Sequence, residues 1–211
     1  YFDFNFRFSK INSLFEQIVK DKRLGKIINI NIISAHGLAF KKEYKKSWRA
    51  YGNPHSLLET VTVHFIDMLN FHFGKPKKIQ YYPKLVAKNG TAYDTVNMNI
   101  AYDNEINVQI LNSYASPLVN EISILTSNSW ITLRKNELII YHPRDTFDKN
   151  GFFKIPPIHK KLKVKTIEDY NKSLKDSLEY FISHVKNNIA FDLDSFNTSL
   201  ETNKIILNLK K

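Results

Sequence analysis

Six short β-rich runs follow one another between residues 77 and 141, and they restrict the possible folds more than any other feature of the sequence. Turn residues separate the runs, among them Asn89-Gly90 and Asp103-Asn104, and this punctuation is typical of antiparallel strands joined by tight turns. We therefore expect one largely antiparallel sheet. The predicted strands cover residues 79–85, 91–102, 106–114, 121–126, 130–135 and 138–141.

Helices are predicted on both sides of this middle part. Ser9 is suited to cap a helix over residues 9–23. Asn53-Pro54 and Phe73-Gly74 carry the start and stop signals of a helix over 54–73, although its β-branched run at residues 60–63 is also typical of a strand. Further strands are expected over residues 1–8 and 26–34, and an irregular connection over 142–164. Two helices are expected at the end of the chain, over 167–186 and 193–209. The helix over 167–186 should pack its apolar face on the sheet. Residues 1–211 are thus predicted to form a single α+β domain, a predominantly antiparallel sheet with helices on one face.

The composition excludes several classes of protein. The chain has no cysteine, which rules out thiol catalysis, and its histidines lack the spacing of a metal site, so we expect no metal. Its six scattered glycines provide no glycine-rich turn for the phosphates of a nucleotide. The net charge of +11 favours anionic partners, but the basic residues are too dispersed for a nucleic-acid-binding surface. No apolar run is long enough to cross a membrane, so we expect a soluble, cytoplasmic protein with no membrane partner.

Three polar residues of the helix predicted over 54–73 indicate chemistry. Thr60, His64 and Asp67 stand at positions i, i+4 and i+7 and so share one helical face. A carboxylate one turn from a histidine can orient the imidazole and raise its basicity, which general acid–base catalysis requires. The alternative from spacing alone is a solvated polar stripe on an otherwise apolar helix.

The segment KKEYKKSWRAYGNPH places cationic side chains beside aromatic rings. Trp48, Arg49 and Tyr51 belong to it, together with four lysines. This combination suits a nucleotide or a sugar phosphate, and equally a single-stranded nucleic acid. The alternative is an exposed lysine-rich loop.

Several segments resemble a known family. NFRFSKINSLFEQIVKDKRLGKI is similar to the opening of the C-terminal domain of the Gfo/Idh/MocA oxidoreductases. SWRAYGNPHSLLETVTVHFIDMLNFHFGKP resembles that family's helix with an H-x-x-D motif, represented here by His64 and Asp67. The strands of EISILTSNSWITLRKNELIIY and the two last helices also resemble the family.

The resemblance implies an NAD(P)-dependent dehydrogenase whose N-terminal Rossmann domain, which binds NAD or NADP, is absent from this chain. The fragment alone would then be inactive. The substrate implied is a sugar or a sugar nucleotide, with similarity to the branch that oxidises UDP-linked amino-sugar acids. A homo-oligomer through the open sheet face is expected. A noncatalytic sugar- or nucleotide-binding or assembly module of the same fold is the alternative.

The resemblance also assigns roles to residues. His64 would contact the substrate and act as acid or base. Asp67 would orient the His64 imidazole, and Thr60 would supply a hydroxyl contact. The weaker candidates for substrate binding are Arg7, Trp48, Arg49 and Tyr51. One departure is that Thr60 stands where the family commonly has an aspartate, and another is that the glycines before the helix are replaced by residues 53–56.

Overall fold

One eight-stranded sheet forms the centre of the fold. The computed structural model describes residues 1–210, with the side chain of Asn104 excepted. The strands are β1 (Ile27–Ala35), β2 (Lys78–Lys84), β3 (Thr95–Ala101), β4 (Asn107–Ser113), β5 (Val119–Thr126), β6 (Trp130–Arg134), β7 (Glu137–Tyr141) and β8 (Ile158–Lys163). Their order across the sheet is β2-β3-β4-β1-β5-β6-β7-β8. Since β1 and β4 are parallel and the other neighbours are antiparallel, the predicted largely antiparallel sheet is confirmed.

The helices lie on one face of this sheet, and the core lies between the sheet and the helices nearest to it. Alternation along β3 shows which face is covered, because Val96, Met98 and Ile100 are buried while Asn97 is exposed. The α+β architecture predicted from the sequence is therefore confirmed. None of the described helices is long and apolar enough to cross a membrane. The helices are α1 (Lys10–Lys20), α2 (Trp48–Tyr51), α3 (Val63–Phe73), α4 (Thr166–Lys186) and α5 (Leu193–Leu209), and a π-helical turn (Leu58–Thr62) leads directly into α3.

The prediction of a strand at the start of the chain is wrong. Residues Asn5–Phe8 form a 3-10 helix instead. Phe4 and Phe6 pack their rings against His64, and the buried Asn5 amide donates a hydrogen bond to Ser173 Oγ at 2.9 Å. The alternating aromatic residues of this segment therefore pack against helices rather than pairing with a sheet edge.

The C-terminal third differs from expectation at two places. Residues Ile158–Lys163, expected to be irregular, form the edge strand β8, whose lysine-rich sequence IHKKLK lacks the apolar alternation of a half-buried strand. Helix α4 does not pack its apolar face against the sheet. The residues that it buries are Ser173 and Ser177. Its apolar side chains are exposed by 38% or more, at Ile167, Tyr170, Leu174, Leu178, Phe181, Ile182 and Val185.

Candidate functional site

A cavity of about 390 Å³ lies between the sheet, the π-helical turn and the start of α4. This volume is within the range of small-molecule sites. Apolar side chains such as Ile32 and Phe65 form much of the wall. Its polar lining residues are Ser9, Ser34, His36, Thr60, His64, Asn120, Glu121, Thr166, Asp169, Tyr170 and Ser173.

The π-helical turn places Thr60 and His64 at this cavity. The Thr60 hydroxyl donates to the carbonyl oxygen of Ser56 at 2.6 Å and lies 3.1 Å from the Tyr114 hydroxyl. The Thr62 hydroxyl donates to the carbonyl oxygen of Leu57, five residues back, at 3.5 Å. Threonine hydroxyls compete for helix carbonyls, and π-helical turns are frequent at functional sites. The β-branched run therefore widens the helix where two candidate residues meet the cavity.

His64 is largely enclosed by aromatic rings. Its imidazole lies 5.1 Å from the Phe6 ring and 5.8 Å from the Phe4 ring, measured between centroids. Burial lowers the pKa of His64, while the Asp3 carboxylate opposes this effect. Nδ1 is buried and has no hydrogen-bond partner among the described residues. Burial thus favours the neutral form of the imidazole, and His64 is among the residues that line the cavity.

Asp67 does not pair with His64, in contrast to the helical-spacing hypothesis. Its two oxygens accept hydrogen bonds from Nε and Nη2 of Arg7, both at 2.7 Å. Burial raises the pKa of Asp67, and the Arg7 guanidinium opposes that rise. Arg7 also donates to the carbonyl oxygen of Ser195 at 3.0 Å, and its guanidinium lies 4.9 Å from the Phe71 ring centroid. Arg7 and Asp67 thus join the N-terminal segment to α3 and α5, outside the cavity lining.

The residues of α2 also lie outside the cavity lining. Trp48 and Tyr51 are exposed, and the Arg49 guanidinium lies 4.6 Å from the Trp48 ring centroid. The carbonyl oxygen of Ala50 accepts hydrogen bonds from the backbone of Thr91 and Ala92, at 2.8 and 2.9 Å. This holds α2 in place with its aromatic side chains on the protein surface.

Several cavity residues were not predicted from the sequence. Ser34 and Asn120 face each other across β1 and β5, and the Ser34 hydroxyl donates to Asn120 Oδ1 at 2.8 Å. Asp169 of α4 accepts hydrogen bonds from the backbone N–H groups of Lys10 and Ile11 and so caps α1. The only sequence signal is that Ser34 and Asn120 are polar residues at positions that continue the apolar face of their strands. This signal can be interpreted only when the strand register is known.

The residues present fit a compact ligand better than a dinucleotide. The described part of the chain contributes no Lys or Arg to the cavity lining. It also contains no group of three or more His, Asp or Glu side chains arranged to hold a metal ion. A nicotinamide cofactor needs a phosphate-binding turn, which these residues do not provide. The lining therefore disfavours an anionic ligand, and the cavity volume suits a small molecule.

Comparison with known families identifies the domain. The family model described as the GFO/IDH/MocA C-terminal domain matches residues 14–132. The chain belongs to the Gfo/Idh/MocA family. The matched residues of this C-terminal domain include most of α1, the π-helical turn, α3, the five strands β1 to β5 and the start of β6. Comparison with curated protein sequences gave no match.

Solved structures share the fold of this Gfo/Idh/MocA domain. An oxidoreductase from Thermotoga maritima superposes with a TM-score of 0.73 at 17% identity, over 98% of this chain and 58% of its own. An oxidoreductase from Agrobacterium radiobacter in complex with NAD+, L-tartaric acid and magnesium has a TM-score of 0.70 at 14% identity, over 95% of this chain and 60% of its own. A levoglucosan dehydrogenase in complex with NADH and levoglucosan has a TM-score of 0.68 at 15% identity, over 99% of this chain and 64% of its own. The chain thus spans about 60% of the length of these proteins.

Proposed function

We propose that this chain is the substrate-binding and oligomerisation half of an NAD(P)-dependent dehydrogenase that acts on a sugar or sugar nucleotide. The observation that carries the proposal is the position of His64, a neutral imidazole at the wall of a cavity of suitable size. Family membership and the oxidoreductases of the same fold support the reaction class.

The cavity favours a neutral sugar ring as the reacting part of the substrate. Apolar walls suit the C–H faces of such a ring, and the Ser34, Asn120 and Thr60 side chains offer hydrogen bonds to hydroxyl groups. A carboxylate or phosphate would find no Lys or Arg among the described lining residues. We therefore place the phosphates of a sugar nucleotide outside the cavity, near the basic residues that precede Trp48 and Arg49.

His64 would handle the proton of the oxidised hydroxyl group. A nicotinamide held by the rest of the full-length protein would supply the acceptor for the hydride of the substrate C–H bond. The hydroxyl proton would pass to the His64 imidazole as the C–H bond loses its hydride, leaving a carbonyl group on the substrate. Because burial lowers the pKa of His64, the imidazole is free to accept this proton at neutral pH, and it gives the proton back in the reverse reaction.

An N-terminal cofactor domain would cover the exposed side of α4. Ile167 and Tyr170 border the cavity and begin the apolar row that the other residues of α4 continue. Exposed apolar surface of this extent marks an interaction site. A domain seated there would close the cavity and bring the nicotinamide towards His64.

The open face of the sheet supports the proposed homo-oligomer. Amide side chains extend across its central strands and can pair with those of a second copy. Exposed Leu111 and Leu125 lie among them. The amide residues of this face are Asn29, Asn31, Asn97, Asn99, Asn107 and Gln109.

The proposal is tested by replacing His64 in the full-length protein. We expect His64→Ala to lower kcat by on the order of a hundredfold while NAD(P) binding is retained. The matched control is His159→Ala, which removes an exposed histidine outside the cavity lining and should leave kcat unchanged. Wild-type kcat and KM in His64→Ala would refute the assignment.

The noncatalytic module is the second candidate. It is favoured by Thr60, whose hydroxyl already bonds to Ser56 and Tyr114 and replaces a carboxylate common in the family. Saturable sugar binding by the full-length protein without turnover of any sugar tested, with NAD+ or NADP+, would establish it in place of the enzyme.

A further inference from the structure

His64 needs an orienting partner that its own helix does not supply. A histidine that exchanges a proton with a substrate is ordinarily oriented by a hydrogen bond from its ring to a third group. Here Arg7 takes both oxygens of Asp67 at 2.7 Å, and Nδ1 of His64 is buried with no hydrogen-bond partner among the described residues. Packing is therefore left to hold the imidazole.

Two aromatic rings of the N-terminal segment, residues 1–8, provide this packing. The Phe6 ring lies 5.1 Å from the His64 imidazole at an interplanar angle of 30°. The Phe4 ring lies 5.8 Å from it at 85°, in an edge contact. Both separations are typical of packed aromatic pairs. Contacts with two rings at such different angles restrict rotation of the imidazole about its side-chain bonds.

The N-terminal segment is itself fixed on the helices. Tyr1, Asp3 and Asn5 form side-chain hydrogen bonds with the two buried serines of α4. Further along the segment, the Arg7–Asp67 ion pair joins it to α3. Because these anchors come before and after the two phenylalanines in the chain, the rings are held against His64 from both ends of the segment.

The two phenylalanines also differ in their relation to the cavity. Phe6 lines it, and its ring is supported by Phe65 at 5.2 Å and Tyr170 at 6.4 Å, both nearly perpendicular to it. Phe4 is 7% exposed and is not among the described residues of the lining. A change at Phe4 can therefore disturb His64 without removing a contact to a molecule in the cavity.

The N-terminal segment also brings a charge to His64. Burial lowers the pKa of His64, and the Asp3 carboxylate acts in the opposite direction. Asp67, on the same helix as His64, is paired with Arg7. The other titratable groups that line the cavity are His36, Glu121, Asp169 and Tyr170. Substitutions within the segment leave all of these other groups in place.

We propose that the N-terminal segment is the positioning element of His64, with the Phe4 and Phe6 rings holding the imidazole towards the substrate in place of a hydrogen-bonding carboxylate. This inference rests on the proposed function, in which His64 handles the proton of the substrate. The alternating aromatic residues of the segment then have a role that a strand would not give them. Since the segment is bonded to α4, the orientation of His64 also depends on the position of that helix.

NMR titration of the histidine side chains in the full-length protein tests the positioning without a substrate. Phe6→Ala should raise the titration midpoint of His64, because water reaches the imidazole, and Asp3→Asn should lower it, because a negative charge is lost. The matched control is Phe8→Ala, which removes a half-buried ring of the same segment that packs on Tyr180 and should leave the midpoint unchanged. His64→Gln identifies the His64 signal, and circular dichroism confirms that each variant is folded.

A second variant tests orientation where truncation to alanine prevents folding. Phe4→Leu keeps an apolar side chain at this buried position but removes the ring, so it should lower the NMR order parameter of the His64 imidazole. An unchanged order parameter in Phe4→Leu, or a midpoint that Phe8→Ala moves as far as Phe6→Ala does, would overturn the positioning role even if His64 is catalytic. Wild-type kcat in His64→Ala would instead refute the proposed function, so the two failures are distinguishable.

Discussion

Replacing Asp67 by asparagine should destabilise the protein strongly, because Asp67 neutralises a buried cation. The side chain of Asp67 is 1% exposed and that of Arg7 is 11% exposed, and two hydrogen bonds of 2.7 Å join them. The asparagine side chain would be isosteric but neutral, so the Arg7 guanidinium would keep only the Ser195 carbonyl and one amide oxygen as acceptors. Breaking a buried ion pair on one side costs about 3–5 kcal/mol, which is a large part of the 5–15 kcal/mol typical of a domain.

Urea unfolding at pH 7, followed by circular dichroism, measures this loss. With a slope of about 2–3 kcal/mol per molar, the midpoint should fall by roughly 1–2.5 M. Glu16→Gln removes the partner of Lys20 in an exposed ion pair and should leave the midpoint unchanged within error. Replacing Arg7 and Asp67 together by methionine should lose less than Asp67→Asn alone, because no charge is left buried. An unchanged midpoint in Asp67→Asn, or a shifted pH profile of kcat instead, would refute the structural role of the pair.

Two further predictions concern pH and the cofactor. Burial lowers the pKa of His64 and His72 in the folded state, so below about pH 6.5 the unfolded chain takes up protons more readily and stability falls as the pH falls. The urea midpoint should be lower at pH 5 than at pH 7.5, and His64→Gln should reduce this difference. The same difference in His64→Gln and in the wild-type protein would contradict the assignment. Residues 1–211 alone should bind NAD(P) weakly or not at all in calorimetry, and tight saturable binding would show that this half holds the cofactor site.

The sheet could be predicted from the sequence because its signals are local. The predicted strand over 26–34 differs from β1 by one residue at each end, since its isoleucines and the glycine before it mark the strand directly. Strand β8 gave no such signal, because an edge strand rich in lysine has little apolar surface to bury. Its place follows from pairing with β7, which only the folded chain reveals.

The site was predicted less well because its contacts are distant in sequence. Helical spacing indicated that Asp67 was within reach of His64, but it carried no information on Arg7, which is 60 positions away and takes both carboxylate oxygens. Spacing also assumed a regular helix, whereas the π-helical turn changes the register just before His64. The resemblance directed attention to His64 and Thr60, which do line the cavity, and the role of each stays a prediction.

Helix α4 connects the proposals for the cavity and for the cofactor domain. An amphipathic helix ordinarily buries its apolar stripe, yet this one buries Ser173 and Ser177. The small serines let the N-terminal segment approach closely, and their hydroxyls bond with Asn5 and Tyr1. The apolar stripe consequently stays exposed, and it begins at Ile167 and Tyr170, which line the cavity. Under the proposed function, a domain that buried this stripe would also cover the cavity, so stability of the assembly and exclusion of water from His64 would depend on the same contact.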